Sequence, residues 1–387
     1  MLSLLRARRG ATRVAFWRVI DWPLLGAAVL LSAFGLVTMY SFSDANAYFD
    51  HQLLWLAISL VIFLGASMAD YRFLRQTVPV VALYGAVVAA LLVVLVIGHV
   101  SNGAQSWFRL GTVAIQPADF TMLVLVIVLA KYFARRHIDI AQFRHVLISG
   151  LYAFIPFALI VLQPDLGSGI ILASIWLGMV LVSGISKKHL FIVLAIGLVA
   201  ALGMWQYGLH DYQKQRVLTF LHPLSDIQGS GYNAYQAVIA IGSGGLTGKG
   251  IGYGTQSKLK FLPEYQTDFI FAAFAEEWGL IGVLLMFALY GIIIWRVLAL
   301  AYRGGSNFET LFAVGLACLF TSHFIVHVGI NLGLLPVTGT TVPFMSYGGS
   351  HLVMEYLGLG MLMGMRRYAR VTRPESIKEE FVPAPVL

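Results

Sequence analysis

Two carboxylates four residues apart, Glu264 and Asp268, follow two lysines in the stretch Lys258-Leu-Lys260-Phe-Leu-Pro-Glu264-Tyr-Gln-Thr-Asp268, which runs into an apolar segment. A carboxylate at a helix mouth can take a proton from an attacking hydroxyl, and nearby cations can offset the charge of a departing phosphate. The plainer role is structural, because an acid in a first helical turn is stabilised by the helix dipole. Chemistry gains weight here because ionisable groups at the mouth of an apolar helix are costly and tend to line polar cavities. Lys258 and Lys260 are expected to hold a nearby acid ionised and ready to accept a proton. Glu276 and Glu277 fall about 12 Å further along the same helix at its usual rise, where pairing with polar groups inside the protein is expected.

Other residues could take part. Between Ile241 and Gly254 half of the residues are glycine, so backbone amides could approach a phosphate closely; a flexible hinge fits the composition equally well. It is not a nucleotide P-loop, since Gly248-Lys249 is followed by Gly250 rather than Ser or Thr. In Gln163-Pro-Asp165, the acid suits a helix cap as well as a site. Trp107 and Arg109 lie in a polar stretch before Gln116-Pro-Ala-Asp119, where a lone Trp reads as an interface anchor. The segment 334–350 holds two prolines and several glycines; irregular backbone near membrane depth is tolerated only where protein or water surrounds it, and it usually lines a site. His323, His327 and Asn331 recur at i, i+4, as do His351 and Glu355, which favours hydrogen-bonded stripes between helices over a metal site.

The elements that must position these groups follow from composition. Of 387 residues, 59% are hydrophobic and 11% charged, and many apolar runs match the length of a bilayer crossing, so the chain reads as an all-α integral membrane protein. Ten spans are predicted: 22–41, 51–69, 78–98, 118–134, 145–162, 168–185, 189–207, 267–295, 308–332 and 350–366. The five arginines of residues 1–21 precede an apolar run without a cleavage site, which predicts a retained signal-anchor. With that terminus cytoplasmic, all but six of the 26 Lys and Arg fall on the cytoplasmic side, including the tail 369–387. The six outside are Arg109, Lys214, Arg216, Lys249, Lys258 and Lys260, and five of them lie in one large extracytoplasmic loop, 208–265, between helices 7 and 8. An anionic ligand would explain them; solvated charge on a long loop is the alternative. Two stretches of that loop, 212–222 and 232–241, have the spacing of short interfacial helices. The whole, 1–387, reads as a single polytopic domain with helices 1–7 over 22–207 and 8–10 over 266–368. Net charge +8 is explained by topology rather than by nucleic acid. Cys318 is the only cysteine, so no intramolecular disulfide can form.

Taken together, Gln163-Pro-Asp-Leu-Gly, Gly229-Ser-Gly-Tyr, Ile241-Gly-Ser-Gly-Gly-Leu-Thr-Gly-Lys-Gly, Phe261-Leu-Pro-Glu-Tyr-Gln-Thr-Asp-Phe-Ile-Phe and Ser346-Tyr-Gly-Gly-Ser resemble the SEDS family (shape, elongation, division and sporulation), polytopic glycosyltransferases of bacterial cell-wall synthesis. The resemblance covers nearly the whole chain. Gly254-Thr-Gln-Ser-Lys-Leu and Thr338 look more like the elongation members (RodA) than the division members (FtsW).

That resemblance implies a GT-C-like fold and a glycan polymerase of the plasma (inner) membrane acting on lipid II during cell elongation. Asp268 matches the family's essential carboxylate and would act as base. Lys249, Lys258, Lys260 and Arg216 are the candidates for stabilising the leaving diphosphate. Glu264, Trp107, Arg109, Gln163, Asp165, Ser346 and Tyr347 complete the candidate substrate site. If a divalent cation, Mg2+ or Mn2+, takes part, Asp268 and Glu264 are its candidate ligands. The implied partners are a class B penicillin-binding protein, a single-span transpeptidase, and other membrane proteins of the elongation complex. One departure stands out: where the family commonly has a lysine three residues after the acid of the fourth helix, this chain has Met122 after Asp119, which leaves an ion pair there without its cation. A lipid II flippase, a non-catalytic cell-wall scaffold and a division-type polymerase are the rival readings.

Overall fold

The computed structural model describes residues 20–42, 45–101, 104–111, 113–135, 143–222, 229 and 231–372. The basic residues 6–18, Arg136 and the tail beyond 372, which carry part of the orientation argument, lie outside the described residues.

Long helices occupy all ten predicted spans: α1 (Trp22–Tyr40), α2 (Ala45–Met68), α3 (Thr77–Ile97), α4 (Pro117–Ala134), α5 (Phe143–Leu162), α6 (Leu166–Val182) and α7 (Lys187–Gly203). After two shorter helices, α8 (Asp211–Leu221) and α9 (Tyr232–Ser243), and the single turn α10 (Thr255–Lys258), come α11 (Ile270–Tyr302), α12 (Asn307–Asn331) and α13 (Gly349–Thr372). Among the described residues, eight of these helices are long and apolar enough to cross a membrane; α6 is apolar but has 17 residues, and α13 is not among the eight. The protein is therefore a multi-pass membrane protein. α8 and α9 form where 3.6-residue spacing predicts them.

Burial orders the bundle. α4 is the central helix, buried at nearly every position from Pro117 to Phe133, and α12 packs on it as well as on α6 and α11. α2 packs along α13, where Gly349 meets Trp55 and Gly360 meets the Phe63 carbonyl, so small residues set the approach. α3 and α7 turn apolar side chains outward, including Val78, Val96, Phe191 and Val199, as helices facing lipid do. At one end of the bundle, Asp21 caps α1 through the Leu24 N–H (3.3 Å) and receives Arg296 (2.9 and 2.5 Å) from α11 and Arg366 (3.4 Å) from α13.

The opposite end departs from the sequence reading in two respects. Residues expected to form a plain loop between α3 and α4 fold instead as an antiparallel sheet in the order β1 (His99–Ser101), β2 (Ala104–Leu110), β3 (Val113–Ile115). Trp107 pairs with His99, and Arg109 with Ala114.

The second is a break in α11 at Gly279 (φ 64°, ψ −166°). A broken helix exposes carbonyls on one side and amides on the other, which an apolar setting cannot hydrate. The glycine-rich loop satisfies both ends. Lys249 and Gly250 donate their N–H groups to the Glu276 and Glu277 carbonyls (3.0 Å each), while Leu280 and Ile281 donate to Gly245 and Leu246 (3.0 and 3.1 Å). Gly248 (φ 79°) and Gly279 lie so close that a Cβ on either would overlap the other strand's backbone.

Candidate active site

Asp268 sits in the irregular turn between α10 and α11. Within it Lys260 and Glu264 both have positive φ (58° and 48°), and the Glu264 carbonyl accepts from the Thr267 and Phe269 N–H groups (3.1 and 3.2 Å). Asn331, last residue of α12, clamps the turn: its side-chain amide donates to the Asp268 carbonyl (2.9 Å) and to His327 O (2.9 Å), and its oxygen accepts from Ala272 N–H (3.2 Å), serving the start of α11. The irregular segment between α12 and α13 closes over it. Ser346 Oγ donates to the Thr267 carbonyl (3.0 Å) and Tyr347 N–H to the Gln266 carbonyl (2.9 Å). A Cβ at Gly339 (φ 70°) would lie 3.4 Å from Asp268 Oδ2, so the segment lies directly against the carboxylate.

Among the described residues, the Asp268 carboxylate has no hydrogen-bonding partner, although its surroundings are largely protein. That burial raises its pKa from the ordinary 3.8 to about 7; Glu264 and, more weakly, Asp165 add to the rise, and Arg216 opposes it. Asp268 is thus poised to gain or lose a proton near neutrality. The expectation that nearby cations hold the acid fully ionised is corrected: Arg216 lowers the Asp268 pKa, but burial outweighs it.

Residues from several of the predicted elements lie around this turn. Arg216 on α8 lies over the Tyr212 ring (5.6 Å to its centroid) and acts electrostatically on Asp268. Asp165 caps α6 through Ser168 N–H (3.1 Å), and accepts from Ser168 Oγ (2.8 Å) and Gln116 Nε2 (2.9 Å); burial raises its pKa as well. Gln163 is buried beside it, its side-chain amide donating to Leu91 O (3.0 Å), and its backbone carbonyl accepts from Gln105 N–H (3.2 Å), which joins the sheet carrying Trp107 to this turn. Trp107 is half-buried on β2 and Arg109 is exposed. Glu264 accepts from Gln266 Nε2 (3.2 Å). Tyr347 packs edge-on against Tyr48 (5.3 Å between centroids), which in turn meets Tyr265 (6.4 Å).

Two lysines lie elsewhere. Lys249 Nζ pairs with Glu276 (2.7 Å), and the same carboxylate accepts from Thr255 N–H (2.9 Å) and Gln256 N–H (3.1 Å). Lys258 donates to Gly252 O (3.1 Å) and acts electrostatically on Glu277, which also takes Gly252 N–H (3.1 Å) and the Ser41 hydroxyl. The amides of the glycine-rich loop thus engage the chain's own glutamates. Lys260 is exposed beside the Asp268 turn. No group of three or more His, Cys, Asp or Glu comes together to hold a metal among the described residues, so no step here is routed through Mg2+ or Mn2+.

A family model described as "Cell cycle protein", covering FtsW, RodA and SpoVE, matches residues 13–371. The chain belongs to this family. It is 36% identical over 361 residues to the peptidoglycan glycosyltransferase MrdB of Escherichia coli K12, covering 92% of this chain and 96% of that protein. It is 34% identical over 363 residues to the probable peptidoglycan glycosyltransferase FtsW of Thiomicrospira cyclica, covering 92% and 91%. Among solved structures, it matches one described as "Structural coordination of polymerization and crosslinking by a peptidoglycan synthase complex" with TM-score 0.77 and 30% identity, over 90% of this chain and 98% of that one. The similar identities to MrdB and FtsW leave elongation and division members undivided.

Within this FtsW/RodA/SpoVE-family protein, Met122 turns its sulfur to His323 (3.4 Å), and Asp119 takes its partner from α13 instead: His351 Nδ1 at 3.2 Å, with Ser350 Oγ at 2.8 Å. Sequence reading pairs His351 with Glu355 in one stripe and leaves Asp119 apart from them. Nothing local signals a contact between residues more than 200 positions apart.

Proposed function

We propose that the protein is a peptidoglycan glycosyltransferase that polymerises lipid II, with Asp268 as the general base. The observation that carries this is the carboxylate itself. The buried acids of the described residues, Asp21, Asp119, Asp165, Glu276, Glu277, Glu309 and Glu355, each hold a hydrogen bond or an ion pair. Asp268, only partly covered, keeps its carboxylate oxygens unengaged, under the charge of Arg216 and with a pKa near neutrality. A carboxylate so disposed is suited to accept a proton from a hydroxyl.

The acceptor hydroxyl forms a C–O bond to the anomeric carbon of the donor as its proton passes to Asp268. The bond from that carbon to the lipid diphosphate breaks, and the diphosphate leaves with the electron pair. Arg216, and Lys260 at the rim, are the cations placed to offset the developing charge. One base opposite one leaving-group site gives a single displacement with inversion and no covalent intermediate. Trp107, Arg109, Gln163, Asp165, Ser346 and Tyr347 frame the donor and acceptor, and Glu264 tunes the base. The site lies extracytoplasmic, with both termini cytoplasmic, by the positive-inside distribution. Activity belongs to cell elongation beside a class B penicillin-binding protein, by the motif likeness to RodA.

The test is polymerisation of labelled lipid II by purified wild type and Asp268→Asn, read as glycan length on gels. Polymer from wild type and none from the variant supports the reading. Equal yield removes Asp268 from the reaction, and lipid II translocation without polymer would establish transport instead.

A further inference from the structure

We propose that His351 is a positioning residue for this reaction, a clamp between Asp119 and Glu355 that holds the two backbone segments flanking Asp268. The inference rests on the polymerase reading above. All three side chains are buried, at 5%, 5% and 1% exposure for His351, Asp119 and Glu355. His351 Nδ1 is 3.2 Å from Asp119 Oδ1, and Nε2 is 2.9 Å from Glu355 Oε1, the second close in distance but off the hydrogen-bond line. One imidazole nitrogen can donate to Asp119, and the other nitrogen faces the charge of Glu355. The parts of this cluster cannot be exchanged singly without leaving a buried charge unpaired.

Two arms leave this clamp, and both end at the active site. In the first, Glu355 Oε2 accepts the Phe344 N–H (2.8 Å) and so holds a non-glycine residue at φ 63°. Two residues on, Ser346 accepts Val342 N–H (2.9 Å) and donates to the Thr267 carbonyl (3.0 Å), one residue before Asp268. In the second arm, Asp119 accepts from Ser350 Oγ, which accepts Gln116 N–H (3.3 Å); the Gln116 amide donates to Asp165 (2.9 Å). Asp165 in turn bears on Asp268 through its charge. The same clamp thus fixes the segment lying over the base and the second carboxylate that tunes it. His323 packs against His351 with ring centres 4.7 Å apart and planes tilted by 47°.

The experiment compares wild type, His351→Leu and His351→Lys as full-length proteins in nanodiscs, with steady-state polymerisation of lipid II and thermal unfolding on each. A loosened site loses rate more than binding, so His351→Leu is expected to lower kcat about tenfold to hundredfold with KM within about twofold. His351→Lys, whose ammonium can donate to both carboxylates, is expected to recover a substantial part of that loss. A core-filling role predicts the reverse order, with Leu better tolerated than Lys, and that outcome would overturn the proposal, as would unchanged kcat in His351→Leu. If His351→Leu fails to fold, the kcat of His351→Lys against wild type decides, since a loss of hundredfold or more there removes the clamp. A wild type without polymerase activity would sink the reading beneath it instead.

Discussion

The sharpest consequence of the Asp268 environment is a pH profile whose position is set by burial and by neighbouring charges, Glu264 and Arg216 foremost. With a pKa of about 7, the group is a competent base only when ionised, so kcat/KM for lipid II polymerisation should rise with pH. On a single titration the rate would be about a tenth of its plateau at pH 6 and about nine-tenths at pH 8. Burial is the largest cause of the raised value; Glu264 raises it further and Arg216 lowers it. Glu264→Gln should therefore move the rising limb to lower pH, and Arg216→Gln to higher pH. Asp268→Asn should abolish the limb and lower the rate by at least about 100-fold. Purified protein in nanodiscs, assayed between pH 5.5 and 8.5 at constant ionic strength, gives the comparison. A flat wild-type profile, or shifts of the same sign in both charge variants, would refute the assignment of the base and its electrostatics together.

Two further outcomes follow from the same geometry. The raised pKa means that ionising Asp268 costs the folded state; the cost grows as pH rises from the ordinary 3.8 through about 7 and is complete above it. Asp268→Asn should thus raise the melting temperature at pH 8 while sacrificing activity, with the gain shrinking at pH 5, as thermal unfolding at the two pH values will reveal. Gly279→Ala places a Cβ against the Gly248 amide at a backbone conformation reserved for glycine, and should destabilise the protein by about 3 kcal/mol or more, read by thermal or denaturant unfolding.

Much of this architecture is legible in the sequence because lipid leaves it few options. α3 and α7 are apolar around most of their circumference and long enough to cross a bilayer, a combination that reads as a membrane helix. α8 and α9 are legible for the opposite reason, their apolar residues falling on one face. What escapes is long-range. The glycine density between Ile241 and Gly254 reads as hinge or phosphate cradle, yet the loop caps a break at Gly279. That break is invisible because the apolar run continues through it. Lys249 belongs to Glu276, 27 residues on, and charge counting alone cannot assign it. The strands β1 to β3 are three to seven residues long, too short for alternation to register.

The backbone supplies a separate argument for where the chemistry lies. Non-glycine residues at positive φ among the described residues include Lys260, Glu264 and Phe344. Lys260 and Glu264 lie in the turn that carries Asp268, and Phe344 in the segment bonded to that turn. Conformations of this kind cost about 1 to 3 kcal/mol each and persist only where surrounding contacts over-determine them. Those contacts are present: Glu264 O receives two backbone amides, and Phe344 N–H is held by the buried Glu355. Were the Asp268 turn merely a connector, relaxed backbone would serve it equally well, and the helix dipole would be better used by a carboxylate bonded to the first amides of α11. Asn331, not Asp268, serves that helix end through the Ala272 N–H. Freed from capping, and set in a turn whose strain is braced from α12 and α13, the Asp268 carboxylate has the setting that the proposed base requires.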